Sequence, residues 1–396
     1  MAQRILKVAH INSEDASWIF FFGQGKYMRS RGIQLFAISS PGEYLTRFAN
    51  EEGVSAHVVP ISRTITPFKD FVSVLRLWWK LRAIRPEIVE AHTTKGGLIG
   101  MIASWLARVP IRIYHNHGMA ALSAKGLKRF ALRWSDKISC LLAHRVIYVA
   151  PSVRDAALEE GVCRMEKART VLSINGLDAV GRFNPSLLSG DARARVRLRY
   201  GIPANALVLG FVGRIFRVKG IEELLCAWEE LSGQFKNLHL LIVGALDSRE
   251  PISDAARQRL QSDPRIHLTG YVEDTPPLYA AMDVLTLPSY HEGLGYVLIE
   301  AAAMNLPVVG TRIPGILDAV RNGITGLLVE PGDAMGLASA IAKYLSDPEL
   351  RRLHGQAGRE YVLHNFVPEN VWESLYSEYR DLLSARGMLQ DSLLTP

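Results

Sequence analysis

The sequence predicts an α/β protein of two doubly wound, Rossmann-like domains facing a cleft. Three observations predict it. The chain has 396 residues, too many for one compact core and suited to two domains of roughly 150–200 residues. Short apolar, β-rich runs alternate with helical runs, as in a parallel sheet covered by helices on both faces. The alternation runs twice, and between the two series lies a stretch of turn chemistry with Asn175-Gly176, Pro185, Gly190 and Pro203.

In the first series Arg4–His10 reads as a strand, Trp18–Arg31 as a helix and Ile33–Ser39 as a strand. A helix opens at Pro41-Gly42 and runs through Glu52, with a strand at Ala56–Val59. Phe68–Ile84 and Lys95–Arg108 read as helices, each followed by a strand, Glu87–Ala91 and Ile111–Tyr114. Thr170–Ile174 reads as a strand ending in the turn Asn175–Asp178. The second series has strands at Leu207–Val212, Leu238–Val243, Ile266–Leu268, Val284–Leu287 and Pro307–Val309, with helices at Ile221–Gly233 and Glu292–Met304 among them. Pro348–Asn365 and Pro368–Ala385 close the chain as helices. The expected division is residues 1–185, residues 186–366, and a C-terminal helix and tail over 367–396.

Composition narrows the function. Hydrophobic residues make up 48% and charged residues 21%, which excludes a wholly disordered chain. Cys140, Cys163 and Cys226 are too scattered for a zinc site or a disulfide framework, as suits a reducing compartment. The start lacks the apolar stretch of a signal peptide. The longest apolar run, Gly96–Ala107, is shorter than the roughly 20 residues a membrane span needs. A cytoplasmic protein is expected. Residues 1–180 carry 25 Lys and Arg against 14 Asp and Glu; the remainder carries 21 against 25. A basic front half points to an anionic partner, nucleic acid or an anionic membrane.

The candidate chemistry lies after strands, where doubly wound folds bind ligands. Gly213-Arg214 and Lys219-Gly220 follow Leu207–Val212 and precede a helix. Glycines permit close backbone approach, the helix N-terminus offers N–H groups, and two cations add charge, so the segment suits a diphosphate. It also fits a surface turn with two solvated cations. Glu292 and Glu300 lie eight apart, with Gly293, Leu294 and Gly295 entering a helix. A carboxylate at a helix mouth can accept from sugar hydroxyls, or simply cap the helix. His115-Asn116-His117-Gly118 ends a strand. A histidine there can meet a substrate hydroxyl or move a proton, or it can be structural. No Asp, Glu or His partner set stands near these histidines in the sequence, so no metal is expected. Within Ala121–Ala143, Lys125, Lys128, Arg129, Arg133 and Lys137 alternate with Leu, Phe, Trp and Ile. Trp78 and Trp79 stand among Arg76, Lys80, Arg82 and Arg85. Both segments read as interfacial helices or as amphipathic helices packed on the sheet; the basic balance favours the membrane surface.

Together these motifs resemble the family 4 retaining glycosyltransferases of the GT-B fold. The resemblance rests on Gly213-Arg214 with Lys219-Gly220, on the Glu292 and Glu300 pair, on Asn175–Asp178 and on His117-Gly118. Leu287–Gly293, Glu300–Met304, Pro307–Thr311 and Gly323–Pro331 are also typical of the family, so nearly the whole chain is covered. The resemblance implies that Arg214 and Lys219 neutralise the donor diphosphate as it leaves, and that Glu300 holds the ribose hydroxyls. It implies that Glu292 contacts the transferred sugar, with backbone N–H groups of Gly293, Leu294 and Gly295 close by, and that His117 contacts the sugar from the first domain. No cofactor or metal is required, and the C-terminal helix Pro368–Ala385 crosses back to the first domain. Asn12–Ser17 stands where many members carry a Gly-Gly loop, and Gly295 where some carry proline.

Ala37–Gly42, Ile65–Pro67, Ala91–Gly97 and Arg112–Gly118 resemble a bacterial branch that extends saccharides on undecaprenyl diphosphate for cell-surface polysaccharides and glycans. That implies a nucleotide-sugar donor, with UDP the expected base and an N-acetylhexosamine or derivative the expected sugar. It also implies a lipid-linked saccharide acceptor and peripheral attachment at the inner face of the plasma membrane. Two rival readings are a GT-B nucleotide-sugar epimerase and a basic nucleic-acid-binding protein. The Glu292 and Glu300 spacing and the basic front helices argue against the first. No recognised nucleic-acid module supports the second, and no nucleic-acid partner is expected.

Overall fold

A computed structural model describes residues 5–62, 66–172, 178–179, 181–247 and 251–388. Ile65, and the Ser173–Leu177 part of the expected strand and turn, lie outside the described residues. The chain divides into two compact units: residues 1–176 with 368–396, and residues 177–367.

In the first unit seven parallel strands form one sheet: β1 Leu6–Ile11, β2 Ile33–Ser39, β3 Ser55–Val58, β4 Ile88–His92, β5 Ile111–Asn116, β6 Arg145–Tyr148 and β7 Ala168–Thr170. Their order is β3-β2-β1-β4-β5-β6-β7. The order reverses between β1 and β4, so a crevice forms beyond the carboxyl ends of those two strands. Nearly every residue of β1, β4 and β5 is buried, as expected of strands covered on both faces. Arg145–Tyr148 adds a strand beyond those the sequence predicts.

Where one helix was expected over Trp18–Arg31, the structure has a 3₁₀ segment, Asp15–Phe21, and a helix, Gln24–Ser30. Gly23 separates them with φ of 90°, and a Cβ there would lie 2.4 Å from the Trp372 ring. Only glycine permits both the backbone angle and that approach. Trp372 belongs to the last helix, Pro368–Ser384, which returns to this unit. Its Leu375, Tyr376, Tyr379 and Leu383 join Val8, Trp18 and Phe48 in one core.

The second unit holds six parallel strands: β8 Leu207–Val212, β9 Leu238–Val243, β10 Ile266–Leu268, β11 Val284–Leu287, β12 Val308–Thr311 and β13 Gly326–Val329. Their order, β10-β9-β8-β11-β12-β13, reverses between β8 and β11. Phe183 and Asn184 lie in this unit, although the sequence boundary was set at 185/186. Arg359 Nη1 donates to Phe183 O and Nη2 to Asn184 Oδ1, each at 3.1 Å. The Phe183 ring also meets Tyr279 edge-on.

Candidate active site

In the second unit the loops after β8 and β11 meet at the switch point. Gly213 follows β8 directly and Gly220 precedes the helix Ile221–Gln234. Gly220 has φ of 70°, and a Cβ there would sit 2.0 Å from Pro288 O. Any side chain at 220 therefore forces the two loops apart. Tyr290 N donates to Val218 O at 2.9 Å and ties the loops a second time.

Lys219 and Glu292 are the third tie. Their ion pair joins Lys219 Nζ to Glu292 Oε1, and Ser289 Oγ donates to the same oxygen at 2.6 Å. Both side chains are largely buried, so the pair is screened less by solvent than a surface pair. The two residues expected to serve phosphate and sugar separately are thus held against each other. Arg214 is more exposed; its Nη1 donates to Asp247 Oδ2 at 2.7 Å, and its guanidinium lies over the Phe216 ring. Both cations stand in the loop beyond the carboxyl end of β8, an arrangement that suits a diphosphate.

Glu292 is not the first residue of a helix, as the sequence suggested. The helix Tyr296–Ala303 starts later, with Gly295 at its N-cap at φ of 63°. Gly293 approaches the loop after β12, where a Cβ on Gly315 would lie 2.3 Å from Gly293 O. Leu294 is fully buried and anchors the turn. Glu300 lies within the helix, half-buried, and accepts from Tyr279 OH at 2.5 Å. Desolvation pushes its carboxyl up to about 7, against the lowering effects of the Tyr279 hydrogen bond and of Arg182.

His117 belongs to the first unit, half-buried just after β5. The structure surrounds it with groups that sequence reading did not connect. His92 Nδ1 lies 3.0 Å from His117 Nε2, and His10 Nδ1 lies 2.9 Å from His92 Nε2. His115 Nδ1 lies 2.6 Å from Glu90 Oε1. Tyr379 OH donates to Glu90 Oε2 and lies 3.3 Å from His10 Nε2. Burial lowers the basicity of all four imidazoles, His115 to about 3, and raises the Glu90 carboxyl. The ligating atoms of His92, His115 and His117, and of His10, Glu90 and His92, lie within 4.8 Å of one another, so either set could hold a metal. The signal was available in strand order: register places His10 opposite Glu90 and His92 opposite His115.

Two helices of the first unit expose aromatic and aliphatic residues. On Gly126–Leu142, Leu127 is 88% and Phe130 62% exposed, and Trp134 lies on the same side. On Pro67–Ile84, Phe68 is 80% and Trp79 67% exposed. Arg129 and Arg133 both pair with Glu160, and Lys137 lies over the Trp134 ring. Among the described residues no helix is long and apolar enough to cross a membrane.

Family models, curated relatives and solved structures each match the chain. Residues 21–173 match the family model described as "Glycosyl transferase 4-like domain", and residues 206–347 match "Glycosyl transferases group 1". The chain is 32% identical over 378 residues to the capsular polysaccharide biosynthesis glycosyltransferase CapM of Staphylococcus aureus, covering 95% of this chain and 97% of that one. It is 26% identical over 320 residues to the UDP-Gal:alpha-D-GlcNAc-diphosphoundecaprenol alpha-1,3-galactosyltransferase of Escherichia coli, covering 80% and 81%. The crystal structure of Anabaena HepE in complex with UDP and glucose superposes with a TM-score of 0.78 at 20% identity, covering 95% of this chain and all of that one.

Proposed function

Because the chain belongs to the family 4 glycosyltransferases of the GT-B fold, we propose that it moves a sugar from a UDP-linked donor to a polyprenyl-diphosphate-linked saccharide, with retention at the anomeric carbon. The sugar is an N-acetylhexosamine or a derivative, and the product belongs to a cell-surface polysaccharide or glycan. The observation that carries the reading is the cation-bearing edge formed by the tied β8 and β11 loops. The galactosyltransferase relative, named for a diphosphoundecaprenol-linked acceptor, supports the acceptor class, and the CapM relative supports a polysaccharide product.

In this reading Arg214 and Lys219 stabilise the departing diphosphate, and Glu300 accepts from the ribose hydroxyls. Glu292, positioned by Lys219 and Ser289, meets the transferred sugar beside the N–H groups of Gly293, Leu294 and Gly295. His117 meets the sugar from the first unit. The anomeric C–O bond to the diphosphate breaks, and the acceptor oxygen bonds on the same face. The departing phosphate takes the acceptor proton. The demand is leaving-group stabilisation, which positioned cations and backbone N–H groups supply without a metal or cofactor.

The exposed faces of Gly126–Leu142 and Pro67–Ile84 suit an anionic bilayer carrying the lipid-linked acceptor. That would make the protein peripheral on the inner face of the plasma membrane. The testing experiment is transfer of radiolabel from a panel of UDP-sugars to a polyprenyl-diphosphate saccharide. Label entering the lipid phase with an α-linkage is expected. Isomerised nucleotide sugar formed without acceptor would replace this reading with an epimerase.

A further inference from the structure

The buried cluster of the first unit is a hydrogen-bonded chain with one direction. It starts at Glu90, whose side chain is fully buried. One carboxylate oxygen accepts from the Tyr379 hydroxyl and the other faces His115 Nδ1 at 2.6 Å. A tyrosine hydroxyl has a single hydrogen. Spent on Glu90, it leaves the Tyr379 oxygen able only to accept from His10 Nε2 at 3.3 Å. A neutral imidazole carries one N–H. His10 is therefore protonated at Nε2, and its Nδ1 must accept from His92 Nε2 at 2.9 Å. By the same step His92 Nδ1 accepts from His117 Nε2 at 3.0 Å. A second contact supports this direction: His92 Nε2 also lies 3.7 Å from Glu90 Oε1, where a proton is favoured over a lone pair.

We infer that Glu90 and Tyr379, acting through His10 and His92, fix His117 in the Nε2–H tautomer and so present its Nδ1 as a hydrogen-bond acceptor. Glu90 and Tyr379 are positioning residues: they reach His117 only through two intervening rings. The consequence for substrate rests on the proposed function, in which His117 meets the transferred sugar. The group that His117 meets must then be a donor, a hydroxyl or an amide N–H. An ether or carbonyl oxygen at that position would face a lone pair and be rejected. The helix that supplies Tyr379 is separated from the rest of its unit by the whole second unit in sequence, so the last helix sets a property of the sugar-facing histidine.

The 2.9 and 3.0 Å spacings are hydrogen-bond distances between rings. Nitrogens that each sit about 2.0–2.1 Å from one tetrahedral zinc would lie farther apart. Metal occupation is therefore an alternative that the same measurement settles.

The test is long-range proton–nitrogen NMR of the full-length protein labelled with ¹⁵N-histidine at neutral pH, with rings assigned by single His→Gln variants. The expected spectrum shows His10, His92 and His117 with a protonated Nε2 and an unprotonated Nδ1, and His115 with a protonated Nδ1. The Tyr379→Phe variant is expected to shift His117 away from the pure Nε2–H pattern, two rings from the substitution. A wild-type His117 protonated at Nδ1, metal-bound nitrogens in the cluster, or an unchanged His117 in Tyr379→Phe would each overturn the inference. The spectrum needs neither donor nor acceptor. Predicted tautomers in a protein that transfers no sugar would leave the chain standing and remove the transferase reading; the converse result would do the opposite.

Discussion

Lys219 and Glu292 pair across the gap between the β8 and β11 loops, and Ser289 holds the shared carboxylate oxygen from the β11 side. In the proposed reaction the pair gives Lys219 two tasks: it offers charge to a phosphate and holds the carboxylate that would meet the sugar. Replacing Lys219 with Ala is therefore expected to lower kcat by about 10²–10³, comparable to removing one oxyanion donor. Lys219→Arg should restore part of that. Steady-state assays of both variants check it, and wild-type turnover in Lys219→Ala would remove the residue from the mechanism.

Arg214 is a simpler case. It stands more exposed and paired with Asp247, so its removal costs little stability. The Arg214→Ala protein should unfold at the wild-type urea midpoint while losing at least tenfold in kcat. A large drop in the midpoint would make the residue structural.

Glu300 sets two opposite pH dependences. Its folded-state carboxyl is raised by desolvation to about 7, above the unfolded value near 4.3. The stability it contributes is fully present below the unfolded value and is lost as pH rises through about 7. If Glu300 accepts from the ribose as proposed, UDP binding is expected to run the other way, because hydroxyls donate best to the ionised carboxylate. Affinity should rise roughly tenfold from pH 6 to pH 8. Glu300→Gln should flatten both slopes, which calorimetric titration and urea melts at each pH would show.

Gly220→Ala should be destabilising by well over about 1 kcal/mol, more than a Gly→Ala replacement gains at a compatible site. The new Cβ meets the positive φ and Pro288 O together. Urea denaturation measures it; a wild-type midpoint would mean the loops separate without cost.

The membrane proposal predicts that Leu127→Ser, Phe130→Ser and Trp134→Ser combined leave the melting temperature unchanged, since these side chains are exposed. The combined variant should lose binding to anionic vesicles in flotation at low salt. Equal flotation of variant and wild type would place the contact elsewhere.

Much of this was legible in the chain. Gly213, Lys219 and Gly220 mark a glycine-rich turn between a strand and a helix, and such turns are readable because their chemistry is local. Glu300 was readable as a helix carboxylate eight residues past Glu292. The histidine chain was not, because His10, the Glu90 and His92 pair of β4, and Tyr379 lie far apart in sequence. Only the parallel order β1-β4-β5 and the returning last helix bring them together. The break at Gly23 was hidden for the same reason, as its cause is Trp372. The pairing of Lys219 with Glu292 depends on β8 and β11 being neighbours, a fact of topology rather than of sequence spacing.

The central claim is that the edge formed by the β8 and β11 loops holds a nucleoside diphosphate. The direct measurement is thermal unfolding of the purified protein with UDP, GDP, ADP or CMP, each with magnesium and with chelator. UDP at 100 times its dissociation constant should stabilise by roughly 2.7 kcal/mol. The shift should be unaffected by chelator and absent in a Lys219→Ala, Glu300→Ala double variant. No shift with any nucleotide, or a shift that survives in the double variant, would contradict the account.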